Sequence, residues 1–165
     1  MNPPFKIRPA QPADTAAVLR LIRALAEYER LSHEVTATET ELHEALFGPL
    51  PRIHAVLAEA GGETVGLALF YYTVNTFKLR PNMFLEDLFV DPAHRGSGLG
   101  LALMRHLARI AVAENCGRIE WRVLNWNQPS IEFYHRLGAQ PIENWHTLLL
   151  VGGALAALAE GTSHG

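Results

Sequence analysis

The stretches MFLEDLFV at residues 83–90 and RGSGLG at residues 95–100 decide the fold of this chain. The first is apolar apart from Glu86 and Asp87, which predicts a strand that is buried on both faces. The second is a glycine-rich turn, and an apolar helix is predicted to follow it from about Leu99 to Glu114. A strand, a glycine turn and a helix in this order are typical of a phosphate-binding turn in an α/β domain.

The residues on either side of these stretches predict further strands and helices. Upstream, strands are predicted at 5–9, 53–60 and 63–74, with one helix at 14–30 and another running from a capping box at Thr36 and Glu39 to Gly48. Downstream, strands are predicted at 118–124 and 145–151, around a helix at 129–137 that Gly138 closes. Residues 75–82 are expected to form a loop, and the tail from about residue 160 is expected to be disordered. The pattern predicts one mixed α/β domain over residues 1–165.

The composition excludes several classes of partner. The 165 residues carry a net charge of −3, so a nucleic-acid partner is not expected. The most apolar run, residues 148–158, contains two glycines and is too short to span a bilayer, and the amino terminus has no apolar signal segment, so no membrane partner is expected. Cys116 is the single cysteine, which excludes an internal disulfide and favours a reducing, cytoplasmic location.

The turn at residues 95–100 has the chemistry of a pyrophosphate site. Glycines let the backbone approach a ligand, the amides at a helix start favour an anion, and Arg95 adds a cation suited to phosphate. A P-loop would need Lys and then Ser or Thr, but Gly100 is followed by Leu101 and Ala102. A dinucleotide fingerprint would need Gly or Ala at position 101 or 103, and both are Leu. A glycine-rich turn without a ligand is the alternative that the pattern alone leaves open.

Two motifs resemble those of the GNAT family of N-acetyltransferases. Arg95-x-x-Gly98-x-Gly100, which opens a helix after a strand, is similar to the family's acetyl-CoA motif. WNQPS at 126–130, followed by FY at 133–134 and LGA at 137–139, resembles its second cofactor segment. RLI at 20–22, LAEYE at 25–29 and LED at 85–87 resemble the spermidine/spermine acetyltransferase subfamily, including its thialysine-acetylating branch. The resemblance implies one GNAT-type domain, with a central mixed, mostly antiparallel sheet that is flanked by helices and splayed where cofactor and amine meet.

The same resemblance implies a site for acetyl-CoA, whereas the spacing of the histidines predicts no metal site. Backbone groups of Leu88, Phe89 and Val90 are expected to pair with the pantetheine arm. The residues expected to bind acetyl-CoA are Leu88, Phe89, Val90, Arg95, Gly96, Ser97, Gly98, Leu99, Gly100, Leu101, Asn127, Ser130 and Tyr134. The histidines show no metal-ligand spacing, because the segment that begins with His43-Glu44 has Phe47 where a zinc-protease helix has its second histidine.

Acetyl transfer to an amine needs a proton acceptor and a proton donor. An alkyl ammonium has a pKa near ~10.4 and must lose a proton before it attacks a thioester, and the departing thiolate must be protonated or stabilised. Glu86 and Asp87 are adjacent charges in the central strand, and strand alternation points them to opposite faces. The resemblance implies that Glu86 is the base, acting through water, and that Asp87 contacts the substrate. A buried ion pair with Arg122 is the structural alternative.

Tyr134 is the expected proton donor. Its helical face, shared with Ile131 and Leu137, is by itself more typical of a core aromatic. The resemblance implies instead that it lies near the cofactor sulfur and acts as general acid. Cys116 is rejected as an acyl-accepting nucleophile, because it lies at the far end of the helix from the turn and no histidine accompanies it.

These observations predict direct acetyl transfer to the primary amine of a small diamine or lysine-like amino acid. The subfamily resemblance implies that the residues around the acceptor are Tyr28, Glu29, Glu86, Asp87, Trp126 and Glu143, and the carboxylates among them suit a cationic amine. Lys78 and Arg80 are either solvated on the predicted loop or attract an amino acid's carboxylate, and the second reading favours thialysine over spermidine. The subfamily implies a homodimer. The alternatives are an acetyltransferase for protein amino termini or lysines, a non-catalytic acyl-CoA sensor, and an interaction domain without a ligand.

Overall fold

The computed structural model describes residues 5–161, which belong to two compact units, Met1–Leu124 and Asn125–Gly165. The first unit holds a five-stranded sheet in the order β1–β2–β3–β4–β5. Its strands are β1 (Phe5–Pro9), β2 (His54–Ala60), β3 (Glu63–Asn75), β4 (Arg80–Val90) and β5 (Ile119–Trp121). Three neighbouring pairs are antiparallel and β4–β5 is parallel, which confirms the predicted mixed, mostly antiparallel sheet.

Three helices belong to the same unit: α1 (Thr15–Tyr28), α2 (Glu39–Phe47) and α3 (Leu99–Ala113). The apolar stripe of α1, which includes Val18 and Leu21, forms one buried cluster with Leu57 of β2 and Leu67 of β3. Because the apolar residues of α1 recur at helical spacing, this stripe lies on one face of the helix. The helices of the described chain are all too short or too polar to cross a bilayer.

A bulge interrupts the ladder between β3 and β4 at Glu86. Leu69 pairs with Asp87 and Phe70 pairs with Leu85, so Glu86 is an extra residue with no partner on β3. On the other side, β4 pairs with β5 only over Met83–Leu85. The central strand therefore separates from its parallel neighbour directly before Glu86, at the point where the resemblance implies a splayed sheet.

The capping box of α2 lies two residues later than predicted. Thr38, rather than Thr36, is the N-cap residue, and its side chain accepts a hydrogen bond from the backbone amide of Glu41 at 3.2 Å. The Glu41 carboxylate in turn accepts one from the Thr38 amide at 2.8 Å. Thr36 and Thr38 both begin a Thr-x-x-Glu pattern, and the pattern alone could not choose between them.

The predicted loop at 75–82 is right for residues 76–79 and wrong for the other half. The turn covers only residues 76–79, and β4 begins at Arg80. Pro81 and Asn82 are usual strand breakers, but here the Pro81 carbonyl accepts a hydrogen bond from the Gly117 amide at 2.8 Å and Asn82 is buried opposite Thr73. Tertiary contacts thus override the local preference.

The second unit contains α4 (Gln128–Arg136) and α5 (Gly152–Ala159). The strand predicted at 145–151 is absent from the described chain, where this segment is irregular and Leu148 is 88% exposed. An apolar run forms a strand only where another strand supplies hydrogen bonds, and none within residues 5–161 pairs with it. Of the tail predicted to be disordered, Glu160 and Gly161 form the turn after α5, and residues 162–165 lie outside the described range.

Candidate active site

The glycine-rich turn ends at the start of α3. Gly98 is the N-cap residue with φ 86°, and Gly96 has φ 76°, so both adopt the left-handed conformation that glycine allows. The Ser97 hydroxyl donates a hydrogen bond to the His94 carbonyl at 2.6 Å, which fixes the turn from within. Leu99 anchors the helix start in the core at 2% exposure, while Gly100 and Leu101 are half-buried.

Open space lies beside the turn, because a Cβ added at Gly96 or Gly98 would meet no atom within 4 Å. The first amides of α3 have no carbonyl partner within their own helix. A helix start with this open approach suits a pyrophosphate, and the residues present therefore fit the phosphates of acetyl-CoA.

The Arg95 side chain ties this turn to two other elements. Its Nε donates a hydrogen bond to the Val90 carbonyl at 3.0 Å, at the end of β4. Its guanidinium lies over the Tyr28 ring, 4.7 Å from the centroid, and 5.6 Å from the centroid of Phe89. Arg95 therefore brings the turn, the end of β4 and the end of α1 into contact.

The last residues of β4 form an edge beside this turn. Leu88, Phe89 and Val90 pair with Ala68, Leu67 and Gly66 of β3. Their other side lies beyond the last pair with β5, which is Leu85 with Trp121. Phe89 is buried, whereas Leu88 and Val90 are half-buried. This edge suits the backbone pairing with a pantetheine arm that the sequence resemblance implies.

Three carboxylates gather next to the edge. Burial, followed by the nearby negative charges of Glu86 and Glu29, raises the pKa of Asp87 to about 6. Burial also raises the pKa of Glu29, the C-cap residue of α1. Glu29, Glu86 and Asp87 are called the acidic cluster below. Because a positive charge would offset the raised pKa values of Asp87 and Glu29, the cluster suits a cationic ligand.

Glu86 differs from Asp87 in its surroundings. Its Oε1 lies 3.9 Å from Nη2 of Arg122, and its charge adds to burial in raising the pKa of Tyr71. The side chains of Glu86 and Arg122 are 43% and 65% exposed. The Glu86–Arg122 ion pair, which the sequence analysis gave as the structural alternative, thus exists. Because exposed ion pairs add little to stability, it does not explain why a charged residue stands at position 86.

Of the predicted residues in the second unit, Ser130 and Tyr134 lie in α4, Asn127 caps it, Trp126 precedes it and Glu143 follows it. Asn127 is the buried N-cap residue, and its Oδ1 accepts a hydrogen bond from the Ser130 amide at 3.4 Å. Tyr134 is half-buried, with its ring 5.3 Å from that of Phe133. Trp126 is 49% exposed and Glu143 is exposed. Asn127 thus has a capping role that the sequence analysis did not foresee.

Lys78 and Arg80 do not join the acidic cluster in the structure. Arg80 lies six residues before Glu86 on β4, which corresponds to roughly 20 Å along a strand. Its Nη2 donates a hydrogen bond to Asn115 Oδ1 at 2.8 Å, beyond the end of α3. Lys78 lies in the exposed turn between β3 and β4. The expectation that Arg80 attracts a substrate carboxylate therefore loses its structural basis.

Sequence reasoning missed Tyr71. Period-two alternation assigns each residue of β3 to a face, but the pairing of Tyr71 with Phe84 depends on the register of the hairpin. The four-residue turn at 76–79 sets that register, and the predicted loop was too long to reveal it. A prediction that gave the turn its true length would have placed Tyr71 beside the strand segment that carries Glu86.

Comparisons with known proteins agree with this geometry. Residues 18–139 match the acetyltransferase (GNAT) family. The chain is 39% identical to the thialysine N-epsilon-acetyltransferase of Bos taurus over 164 residues, covering 93% of this chain and 96% of that protein. It is 33% identical to the human spermidine/spermine N(1)-acetyltransferase-like protein 1, covering 86% of this chain and 22% of that protein.

A solved structure shares the fold of this chain. An integron cassette protein from the mobile metagenome of V. cholerae superposes with a TM-score of 0.79 at 27% identity, covering 95% of this chain and 98% of that one. Sequence motifs, sheet topology and relatives point the same way. The chain belongs to the acetyltransferase (GNAT) family.

Proposed function

We propose that this protein transfers the acetyl group of acetyl-CoA directly to the primary amine of a small diamine or lysine-like amino acid. The observation that carries the proposal is the acidic cluster at the open edge of β4, joined to the glycine turn through the contact of Arg95 with Tyr28. The transfer needs a site for each reactant, and the turn would bind the phosphates of acetyl-CoA while the cluster would bind the cationic amine beside it.

On the cosubstrate side, acetyl-CoA supplies an activated acetyl group as a thioester. Residues 96–101 would hold its phosphates through backbone amides, and the free edge of Leu88, Phe89 and Val90 would pair with its pantetheine arm. The φ values of Gly96 and Gly98 and the open space beside them support this role. By resemblance, Asn127, Ser130 and Tyr134 contribute from α4.

On the amine side, Glu86 would accept the ammonium proton, directly or through water. Its partial exposure and its place in the bulge support this role, because the carboxylate can be reached by a ligand. Tyr134 would donate a proton to the departing thiolate, as the family resemblance implies. The nitrogen would lose a second proton as the amide forms, which replaces the proton that Tyr134 gives to the thiolate, so the products are the amide, free CoA and one proton on Glu86.

The acceptor would be held by the acidic cluster together with Tyr28. By resemblance, Trp126 and Glu143 are also expected to bind the acceptor. A relative named thialysine N-epsilon-acetyltransferase, matched over 93% of this chain, supports an amino acid with a side-chain amine. The half-buried Asp87 supports a positively charged acceptor, since a cation would offset its raised pKa.

The protein would act in the cytoplasm as a homodimer. The single cysteine, half-buried Cys116, supports a reducing compartment. Trp145, Leu148, Leu149 and Val151 are each at least 66% exposed, and a row of large exposed apolar residues supports a surface that a second copy covers. Light scattering of the purified protein distinguishes a dimer from a monomer.

Steady-state kinetics of Glu29→Gln and Asp87→Asn test the proposal on the amine side. Each variant should raise KM for thialysine by about tenfold, because each removes one charge facing the ammonium, and should leave KM for acetyl-CoA unchanged. Arg118→Gln, which alters an exposed ion pair with Glu120, serves as the matched control. An unchanged KM for the amine in both folded variants would contradict the proposal.

A further inference from the structure

One face of the sheet carries a row of side chains that leads to Glu86. Tyr71 of β3 pairs with Phe84 of β4, and Phe84 pairs with Glu120 of β5. Directly paired residues on neighbouring strands point to the same face. Tyr71, Phe84 and Glu120 therefore form one row across three strands.

Glu86 and Arg122 continue the row one step further along the strands. Each lies two residues beyond a member of the row, Phe84 or Glu120, and residues two apart share a face. Arg122 directly follows the last residue of β5, and Glu86 is the bulged residue directly after the last β4–β5 pair. Both side chains thus emerge where the two strands separate.

Contacts within the row converge on the Glu86 carboxylate from two sides. The Tyr71 ring stacks on Phe84 with centroids 5.2 Å apart and an angle of 24° between the planes. The Arg122 guanidinium lies 5.3 Å from the Phe84 centroid. Arg122 Nη2 lies 3.9 Å from Glu86 Oε1, and the charge of Glu86 acts on Tyr71, whose ring is placed against the same Phe84.

We propose that Tyr71 is a positioning residue for Glu86, with Phe84 as the platform and Arg122 as the opposing contact. This inference rests on the proposed role of Glu86 as the base. The bulge leaves Glu86 without a partner on β3, so the backbone ladder alone does not fix its side chain. The Tyr71 hydroxyl and the Arg122 guanidinium hold one carboxylate in one orientation.

The hydroxyl of Tyr71 is suited to keep its proton and to donate a hydrogen bond here. Burial first, and then the charge of Glu86, raise the pKa of Tyr71 above its ordinary value. The charged groups around it are Glu86, Glu120 and Arg122, of which only Arg122 favours ionisation. Tyr71 therefore keeps its proton, and the proton taken from the amine goes to Glu86 and not to Tyr71.

The test is a double-mutant cycle of Tyr71→Phe and Glu86→Gln, measured as kcat and both KM values. Tyr71→Phe should lower kcat by about tenfold, the scale of one hydrogen bond to a charged group, with KM for acetyl-CoA unchanged. In the Glu86→Gln background the same change should lower kcat by less than about twofold, because Tyr71 acts through Glu86. Tyr72→Phe, which removes a hydroxyl from the opposite face of β3, should leave kcat unchanged in both backgrounds.

The outcomes separate the two proposals. If Glu86→Gln lowers kcat but Tyr71→Phe does not, Glu86 remains the base and the positioning role is wrong. If Tyr71→Phe lowers kcat equally in both backgrounds, Tyr71 acts independently of Glu86 and the inference is also wrong. If Glu86→Gln leaves kcat unchanged, the role of Glu86 and the inference that depends on it both fail.

Discussion

Glu29 at the end of α1 and Asp87 in β4 are two half-buried carboxylates that the fold brings together. The pKa of Asp87 rises to about 6, through burial first and then through the charges of Glu86 and Glu29. Carboxylates held in this way destabilise a protein unless something offsets their charge. The cluster is therefore better explained by binding a cation than by stabilising the fold.

The raised pKa of Asp87 predicts how stability depends on pH. Between the ordinary value of 3.8 and about 6 the folded protein binds more protons than the unfolded chain, so the free energy of unfolding falls as pH rises through this window. The Asp87→Asn variant should not lose this stability. Its free energy of unfolding should exceed that of the parent by up to about 3 kcal/mol at pH 8 and should differ little from it near pH 4. Thermal melts across this range, with exposed Glu63→Gln as control, measure the effect. A constant difference at all pH values would contradict it.

Replacing a glycine of the turn should abolish cosubstrate binding. Gly98→Asp places a negative charge at the helix start where the phosphates are expected, and affinity for acetyl-CoA should fall by about 100-fold or more. Gly62→Asp is the matched control, because Gly62 has φ 87° in a hairpin turn with equally open space. Both variants place a non-glycine residue at a positive φ and therefore share the backbone strain. Calorimetry should show that only the change at Gly98 removes acetyl-CoA binding. Equal affinities would refute the phosphate site.

Tyr134→Phe should separate acid catalysis from packing. The variant loses only a hydroxyl, so kcat should fall by about 100-fold while the melting temperature and the affinity for acetyl-CoA stay unchanged. Steady-state kinetics with saturating acetyl-CoA measure the effect. If kcat equals that of the parent, Tyr134 is an aromatic packing residue of α4.

The position of the α2 capping box predicts a difference between two neighbouring threonines. Thr38→Ala should destabilise the protein by about 1 kcal/mol, because it removes the hydrogen bond to the Glu41 amide. Thr36→Ala should change stability by less than about 0.5 kcal/mol. Urea unfolding of the two variants side by side makes the comparison. The reverse order would place the cap where the sequence pattern first suggested it.

Local patterns predicted the parts of the fold that local physics controls. The 3,4-spacing of apolar residues found α1 and α3, and the turn at Gly61-Gly62 found the hairpin of β2 and β3. The two cofactor motifs predicted family membership, which the comparisons confirm.

Features that depend on distant partners could not be predicted in this way. The bulge at Glu86 arises from the register of β3 against β4, and Arg80 is held by Asn115 from the far end of α3. The apolar segment at 145–151 has the composition of a strand, but composition does not supply the neighbouring strand. Each of these features depends on a contact between residues that are far apart in the chain.

The central claim is acetyl transfer to a small amine, and turnover across an amine panel tests it most directly. Release of free CoA from acetyl-CoA should be measured with thialysine, with spermidine and with a lysine-containing peptide. We predict a higher kcat/KM for thialysine than for spermidine, and no turnover of the peptide. Turnover of the peptide alone, or of none of these amines, would contradict the account.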